Sequence, residues 1–252
     1  MGYSVFAQYY DELTRNVDYP VRADYFLRLL ERLNHQPGIT LDLACGTGSL
    51  TLELYRRGVD VYGIDSSVEM LSAAREKSAD AGAELLFLCQ KMQKIDLYGT
   101  VDTVICALDS INHLRSEAEV RETFQRVSFF MNQGGYFLFD VNTPYKHQQI
   151  LANHTFIYDM PAVYCVWQNS LNPSDSRITI DLDFFEREGT LYRRSREHFT
   201  EQVYPLDLLT KLLKESGFGT VRTFDELTFD PPQESSQRVV FAAQKITEPG
   251  KI

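Results

Sequence analysis

Residues 39–48 read Ile39-Thr40-Leu41-Asp42-Leu43-Ala44-Cys45-Gly46-Thr47-Gly48. An apolar run breaks into Gly-Thr-Gly and a helical pattern follows at once. That order predicts a buried strand, a tight turn and a helix start. Glycine at 46 and 48 permits positive φ and leaves no Cβ in the way of a ligand that touches the backbone. The following helix points unpaired N–H groups at the turn. A second strand over 59–64 ends in Asp65, and a carboxylate at such a tip accepts hydrogen bonds from vicinal ribose hydroxyls. The dinucleotide form of this βαβ unit wants Gly or Ala three positions after its second glycine. Thr51 stands there, which argues against a nicotinamide or flavin dinucleotide. Asp42, just before the turn, suits a ligand with a cationic end better than a pyrophosphate.

Composition narrows the field further. With 252 residues the chain can form one domain with an insertion. A net charge of -10 repels phosphate backbones, and no lysine or arginine run offsets it, so a nucleic-acid partner is not expected. The four cysteines, Cys45, Cys89, Cys106 and Cys165, are scattered without a Cys-x-x-Cys pair, which reads as reduced thiols in a cytoplasmic protein. No metal-ligand spacing is evident. No apolar run approaches the ~20 residues of a membrane span, so no membrane partner is expected.

Asp42-Leu43-Ala44-Cys45-Gly46-Thr47-Gly48 resembles motif I of the class I S-adenosylmethionine (SAM) methyltransferases, small-molecule type, as found in a bacterial group. Gly63-Ile64-Asp65-Ser66-Ser67 resembles the acidic loop that follows it. The resemblance implies an α/β fold: a Rossmann-like seven-stranded sheet of order 3-2-1-4-5-7-6 with its last strand antiparallel. It also implies SAM as cofactor. Gly46, Gly48 and the backbone at Ala44 and Cys45 would hold the methionine moiety, with Asp42 balancing its ammonium. Asp65 would hold the ribose, with Ser66 and Met70 alongside. Met92 and Gln93 would flank the adenine, and Leu108 and Tyr10 would complete the cofactor set. The sequence departs from the family at Lys91, where an acidic residue commonly accepts from the adenine amino group; a lysine ammonium has no acceptor.

In chain order, residues 1–35 read as helical, with Pro20 opening the second helix. Tyr3, Tyr9 and Tyr10 serve plain core packing or, by resemblance to the family's N-terminal lid, the site; Tyr3 is then a substrate contact. Strands over 39–44, 59–64 and 84–88 alternate with helices over 48–57 and 67–80. A fourth strand, 101–106, runs into Asp109, Asn112 and His113, which the resemblance places near the acceptor. His113, of a residue type titrating near neutrality, either takes the acceptor's proton or is a structural imidazole. Asn132 to Gly135 reads as a turn before a fifth strand, 136–140, whose terminal Asp140 binds a substrate group or caps the loop.

From 155 to 201 the pattern becomes alternating and aromatic, which predicts an inserted antiparallel sheet roofing the acceptor site. Arg194, Arg196 and His198 share one face of its last strand; Arg196 is a substrate-binding candidate and His198, with Tyr10 and His113, a catalytic one. A helix over 206–215 and strands over 218–224 and 238–244 close the chain. The expected domains are therefore a SAM-binding domain, 1–154 and 202–246, with residues 1–35 as its lid, and the insertion 155–201. The expected activity is methyl transfer to N or O of a small-molecule acceptor by in-line displacement, in a monomer or homodimer. The alternative is a non-catalytic SAM- or nucleoside-binding module, which Lys91 favours.

Overall fold

The computed structural model describes residues 4–174 and 177–246, so Tyr3 lies outside the described residues. Helices α1 (Ser4–Leu13) and α2 (Tyr19–Arg32) precede the first strand. Asp18 caps α2 by accepting from Val21 N, and Pro20 sits in the first turn, where a missing N–H costs nothing. Then come β1 (Ile39–Leu43), α3 (Ser49–Arg56), β2 (Asp60–Asp65), α4 (Val68–Asp80), β3 (Phe87–Cys89), β4 (Val101–Cys106), α5 (Glu117–Phe130) and β5 (Met131–Asn142). A four-strand stretch follows: β6 (Thr155–Asp159), β7 (Val163–Asn172), β8 (Arg177–Glu188) and β9 (Leu191–Glu201). The chain returns through α6 (Leu206–Glu215), β10 (Phe218–Asp225) and β11 (Arg238–Lys245).

The main sheet runs β10-β11-β5-β4-β1-β2-β3. With the β6–β9 strands set aside, this is the order 3-2-1-4-5-7-6. Only β11 runs against its neighbours, pairing antiparallel with both β5 and β10. Helices cover both faces, so the central strands are apolar on both sides. Along β5 the period of two splits the sheet's faces: Phe137 and Phe139 join Phe124, Leu209 and Leu212 of α5 and α6, whereas Leu138 joins Phe26 and Leu30 of α2. Each of these buried side chains contributes about 2 kcal/mol of transfer free energy.

The second sheet, β6-β7-β8-β9, is antiparallel throughout. Its inner face carries Cys165, Ile180, Leu182, Phe184 and Phe199, and α1 packs there through Phe6, Ala7, Tyr9 and Leu13. Glu197 accepts both Val5 N and Phe6 N at 2.8 Å, so a carboxylate of β9 satisfies the open N-terminus of α1.

Three local features differ from the sequence reading. The expected turn at 132–135 lies inside the twelve-residue β5, where the register against β4 shifts between Val101 and Thr103. Gly134 takes φ +80° there, and Gly135 is needed because a Cβ would stand 2.6 Å from Asp102 O. The alternating stretch of sequence over 163–168 continues as β7 to Asn172. An unanticipated π-helical turn, Lys146–Leu151, connects β5 to the second sheet and buries His147.

Candidate active site

β1 and β4 are neighbours at the centre of the sheet, and the chain leaves their carboxyl ends toward opposite sides. Crevices of this kind hold ligands in open α/β sheets. Here the crevice is a cavity of about 440 Å³, walled also by α1 and by the β6–β9 sheet.

At one end the wall is mostly backbone. Ala44, Gly46 and Gly48 take φ of +60°, +54° and +72°, so the turn after β1 alternates in and out of the left-handed region. A Cβ on Gly46 would meet nothing within 4 Å, and Gly46 lines the cavity, so that space is open to a ligand. Gly48 does not line it. A Cβ there would come within 3.0 Å of Ala74 and Phe87, so this glycine serves the packing of the turn on α4 and β3. Asp65 accepts from Gly46 N at 3.0 Å and Ser67 N at 2.8 Å, one bond to each oxygen. A carboxylate has about four acceptor sites, so two remain for vicinal hydroxyls. Burial raises the Asp65 pKa against these bonds.

Asp42 is buried and accepts from Thr51 Oγ1 at 2.6 Å. The residue that argued against a dinucleotide is therefore the partner of the acid. Burial pushes the Asp42 pKa up to about 7, so its charge is poorly compensated, and a cationic ligand end would supply the missing countercharge. Cys45, Ser66, Met70, Met92 and Leu108 also line this part, whereas Gln93 does not. Lys91 is exposed and caps the turn Met92–Lys94, a rim charge outside the cavity wall.

The other end is built from side chains. Leu108 and Asp109 take φ of +57° and +52°, two successive non-glycine residues in a region that costs each about 1 kcal/mol. Asp140 holds them there: its two oxygens accept Leu108 N at 2.9 Å and Asp109 N at 2.7 Å. Arg238 of β11 donates to Asp140 at 2.5 Å and to Asp109 at 2.6 Å. Asp140 is thus a fully buried loop cap and not an acceptor contact. Asn112 is likewise fully buried, accepting Asn142 N and donating to Gln202 O, so it ties β5 to the end of β9.

That tie brings Glu201 to the site. The ligand atoms of Asp109, His113 and Glu201 all lie within 4.8 Å of one another, and all three residues line the cavity. The His113 ring rests on Phe199 at 5.5 Å between centroids. Burial opposes the Glu201 charge, but His147, His113 and Asn142 outweigh it and draw its pKa below the usual carboxylate range. The donor set is one that divalent cations use. However, Arg238 already occupies an oxygen of Asp109, and His147 Nε2 with Asn142 Nδ2 faces one of Glu201. What remains is three acceptors round a small space, a better fit to an ammonium.

Tyr10 lines the cavity, and burial raises its pKa well above the ordinary phenol value, so it stays a hydroxyl donor. Tyr9 instead packs on Phe184 and reaches Glu186 at 3.4 Å. Two candidates from β9 are corrected by the strand's parity. His198 and Arg196 point out of the sheet, about 51% and 68% exposed, paired with Asp181 and Asp183. The inward residues are Phe199 and Glu201. Sequence reasoning also missed Lys146, Asn169, Glu201 and Arg238; none belongs to a local motif, and only the sheet pairings and, for Lys146, the π-helical turn bring them in. Asp11 was missed as well. It accepts from Thr47 Oγ1 at 2.7 Å and pairs with Lys77 at 2.6 Å, fastening α1 to the glycine turn.

Among the described residues no helix is long and apolar enough to cross a membrane. Residues 40–135 match the family of methyltransferase domains. A Bacillus subtilis protein with a provisional methyltransferase name, YqeM, is 33% identical over 246 residues, covering 97% of this chain and 98% of its own. The crystal structure of a SAM-dependent methyltransferase from Clostridium acetobutylicum superposes with a TM-score of 0.87 at 30% identity, covering 97% of this chain and 99% of that one. The sugar N-methyltransferase KedS8 of Streptoalloteichus shares the fold, with a TM-score of 0.78 at 18% identity and coverage of 94% and 93%. The glycine turn with its open Cβ position, the acid at the tip of β2 and these likenesses together make the chain a member of the class I S-adenosylmethionine-dependent methyltransferases.

Proposed function

We propose that the methyl acceptor is the amine nitrogen of a small molecule. The observation that carries this reading is the convergence of Asp109, His113 and Glu201 within 4.8 Å, in the wall of the same cavity as Gly46. Two carboxylates and an imidazole attract an ammonium. The Phe6, Trp167 and Phe199 rings add faces and edges, packed on one another at 5.5 to 6.2 Å. The fold likeness to a sugar N-methyltransferase supports the same reading.

Bound at the glycine turn, SAM supplies a methyl group already activated by its sulfonium. The chain's own work is then alignment and proton removal. An ammonium has no lone pair, so one proton must leave before nitrogen can attack. In this reading His113 accepts it, and the ionised Glu201, within 4.8 Å, stabilises the imidazolium that forms. Asp109 and Tyr10 hold the amine in line. The lining on this side comes from α1 and from β6, β7, β8 and β9, whose aromatic side chains give the acceptor a largely apolar wall.

The test is product formation with a panel of primary and secondary amines against their matched alcohols, read as S-adenosylhomocysteine release. Amines are expected to turn over and alcohols not; methylation of the alcohols alone overturns the amine reading. In His113→Ala, turnover is expected to fall by about 100-fold or more while S-adenosylhomocysteine affinity stays within about twofold. Unchanged turnover would remove His113 from the chemistry.

A further inference from the structure

Lys146 and Asn169 both line the cavity, from the π-helical turn and from β7, and neither is used by the chemistry above. Arg238, also in the cavity lining, is already paired with Asp109, Asp140 and Glu226. Lys146 forms no ion pair with a carboxylate among the described residues; its Nζ donates to Asn142 Oδ1 at 2.9 Å. Burial, and next the Arg238 charge, lower its pKa, and the nearby carboxylates of Asp109, Glu226 and Glu201 offset this only in part. Asn169 is 2% exposed, and its Nδ2 has no hydrogen-bond partner. The amide cannot simply be turned round. Trp167 Nε1 can only donate, and it donates to Asn169 Oδ1 at 2.8 Å, so the oxygen is fixed and the NH2 is left over. A buried donor left unpaired costs about 1–3 kcal/mol, so it calls for an acceptor.

We propose that Lys146 and Asn169 form an oxyanion subsite, so that the acceptor carries a carboxylate or phosphate group as well as its amine. This rests on the amine reading of the neighbouring site. The two subsites adjoin through one side chain: the Asn142 amide accepts from Lys146 and donates to Glu201 at 3.1 Å. The amine and the oxyanion therefore belong to one compact, zwitterionic molecule, with only a few bonds between them.

Trp167 is the chain's single tryptophan, so its emission reports on the Asn169 contact. The intact protein, saturated with S-adenosylhomocysteine, is titrated with sodium acetate and with inorganic phosphate, against chloride at constant ionic strength. A saturable change with acetate or phosphate but not chloride is expected, and the stronger of the two identifies the group. Lys146→Gln is expected to weaken the response at least about tenfold, and Lys146→Arg to restore most of it. Asn169→Asp, isosteric and repulsive to an anion, gives a second variant should the first not fold. Indifference to both anions, or equal responses in the wild type and Lys146→Gln, overturns the subsite. Calorimetry with S-adenosylhomocysteine comes first: failure to bind it sinks the methyl-transfer reading of the cavity and the subsite with it, whereas binding followed by anion indifference sinks the subsite alone.

Discussion

The two ends of the cavity are made in different ways. The glycine end is a contiguous turn shaped by its backbone conformation and backed by one acid from the next strand. The other end collects Asp109, His113, Lys146, Asn169 and Glu201 from four separate segments, and holds them through Asn112, Asn142 and Asp140. A backbone-built site depends on a few dihedral angles and tolerates little change. A site built from side chains on a network can exchange its ligands' identity while the frame persists, which suits an end that must match one acceptor among many.

That contrast can be broken at either end. The largest effect is expected at Asp65, where Asp65→Ala removes the two acceptor sites left for hydroxyls and also frees the Gly46 and Ser67 N–H groups. S-adenosylhomocysteine affinity should fall by about 100-fold or more in calorimetry, with the fold intact by circular dichroism. Wild-type affinity would take Asp65 out of the site. Next comes a pair of glycines. Gly46→Ala should cost binding about tenfold, because its Cβ enters open cavity, with a stability loss of only about 1 kcal/mol from the left-handed φ of +54°. Gly63→Ala should reverse the ranking, since a Cβ there meets Cys45 Sγ and Phe87 at 2.7 Å inside the packing. Equal binding losses in both would mean that the turn is not backbone-read.

A pH experiment sharpens the comparison further. The folded-state pKa of Asp42 is raised by burial to about 7, so its contribution to stability is full below the ordinary value near 4 and is lost as pH rises through 7. Asp42→Asn should therefore melt higher than the wild type at pH 8, by up to about 4 kcal/mol in the ligand-free protein, and converge with it near pH 4. A gap that does not narrow on acidification would show that Asp42 is not the titrating group. The smallest effect belongs to His198→Ala. Its ring faces solvent and Asp181, so turnover should stay within about twofold of the wild type; a larger loss would place it in the site after all.

The glycine turn was legible because strand, turn and helix are neighbours in sequence and both glycines stand where φ is positive. The β6–β9 sheet was legible as a sheet for the same local reason, alternation. Alternation put Arg194, Arg196 and His198 on one face but could not say which face looks inward. Strand parity is relative, and only packing of Phe199 against Phe6 and Trp167 decides it. Glu201 was beyond reach because its partner Asn142 lies 59 residues away along the chain, and Asn169 because only the folded cavity shows which of its amide atoms is left unpaired. Asp140 carried two readings, and its hydrogen bonds to Leu108 and Asp109 choose the loop cap.

Arg238 bears on how the molecule comes into being. It sits at the start of β11, the strand that follows every other strand in chain order, and its guanidinium lies against Asp109, Asp140 and Glu226. Until a ribosome has released that segment, the nascent chain holds these acids close together without their main cation, and the strained turn at Leu108 and Asp109 has no reason to settle. The wall of the crevice at Leu108 and Asp109 is therefore completed by the strand made last, with Arg22 already reaching Asp140 before it.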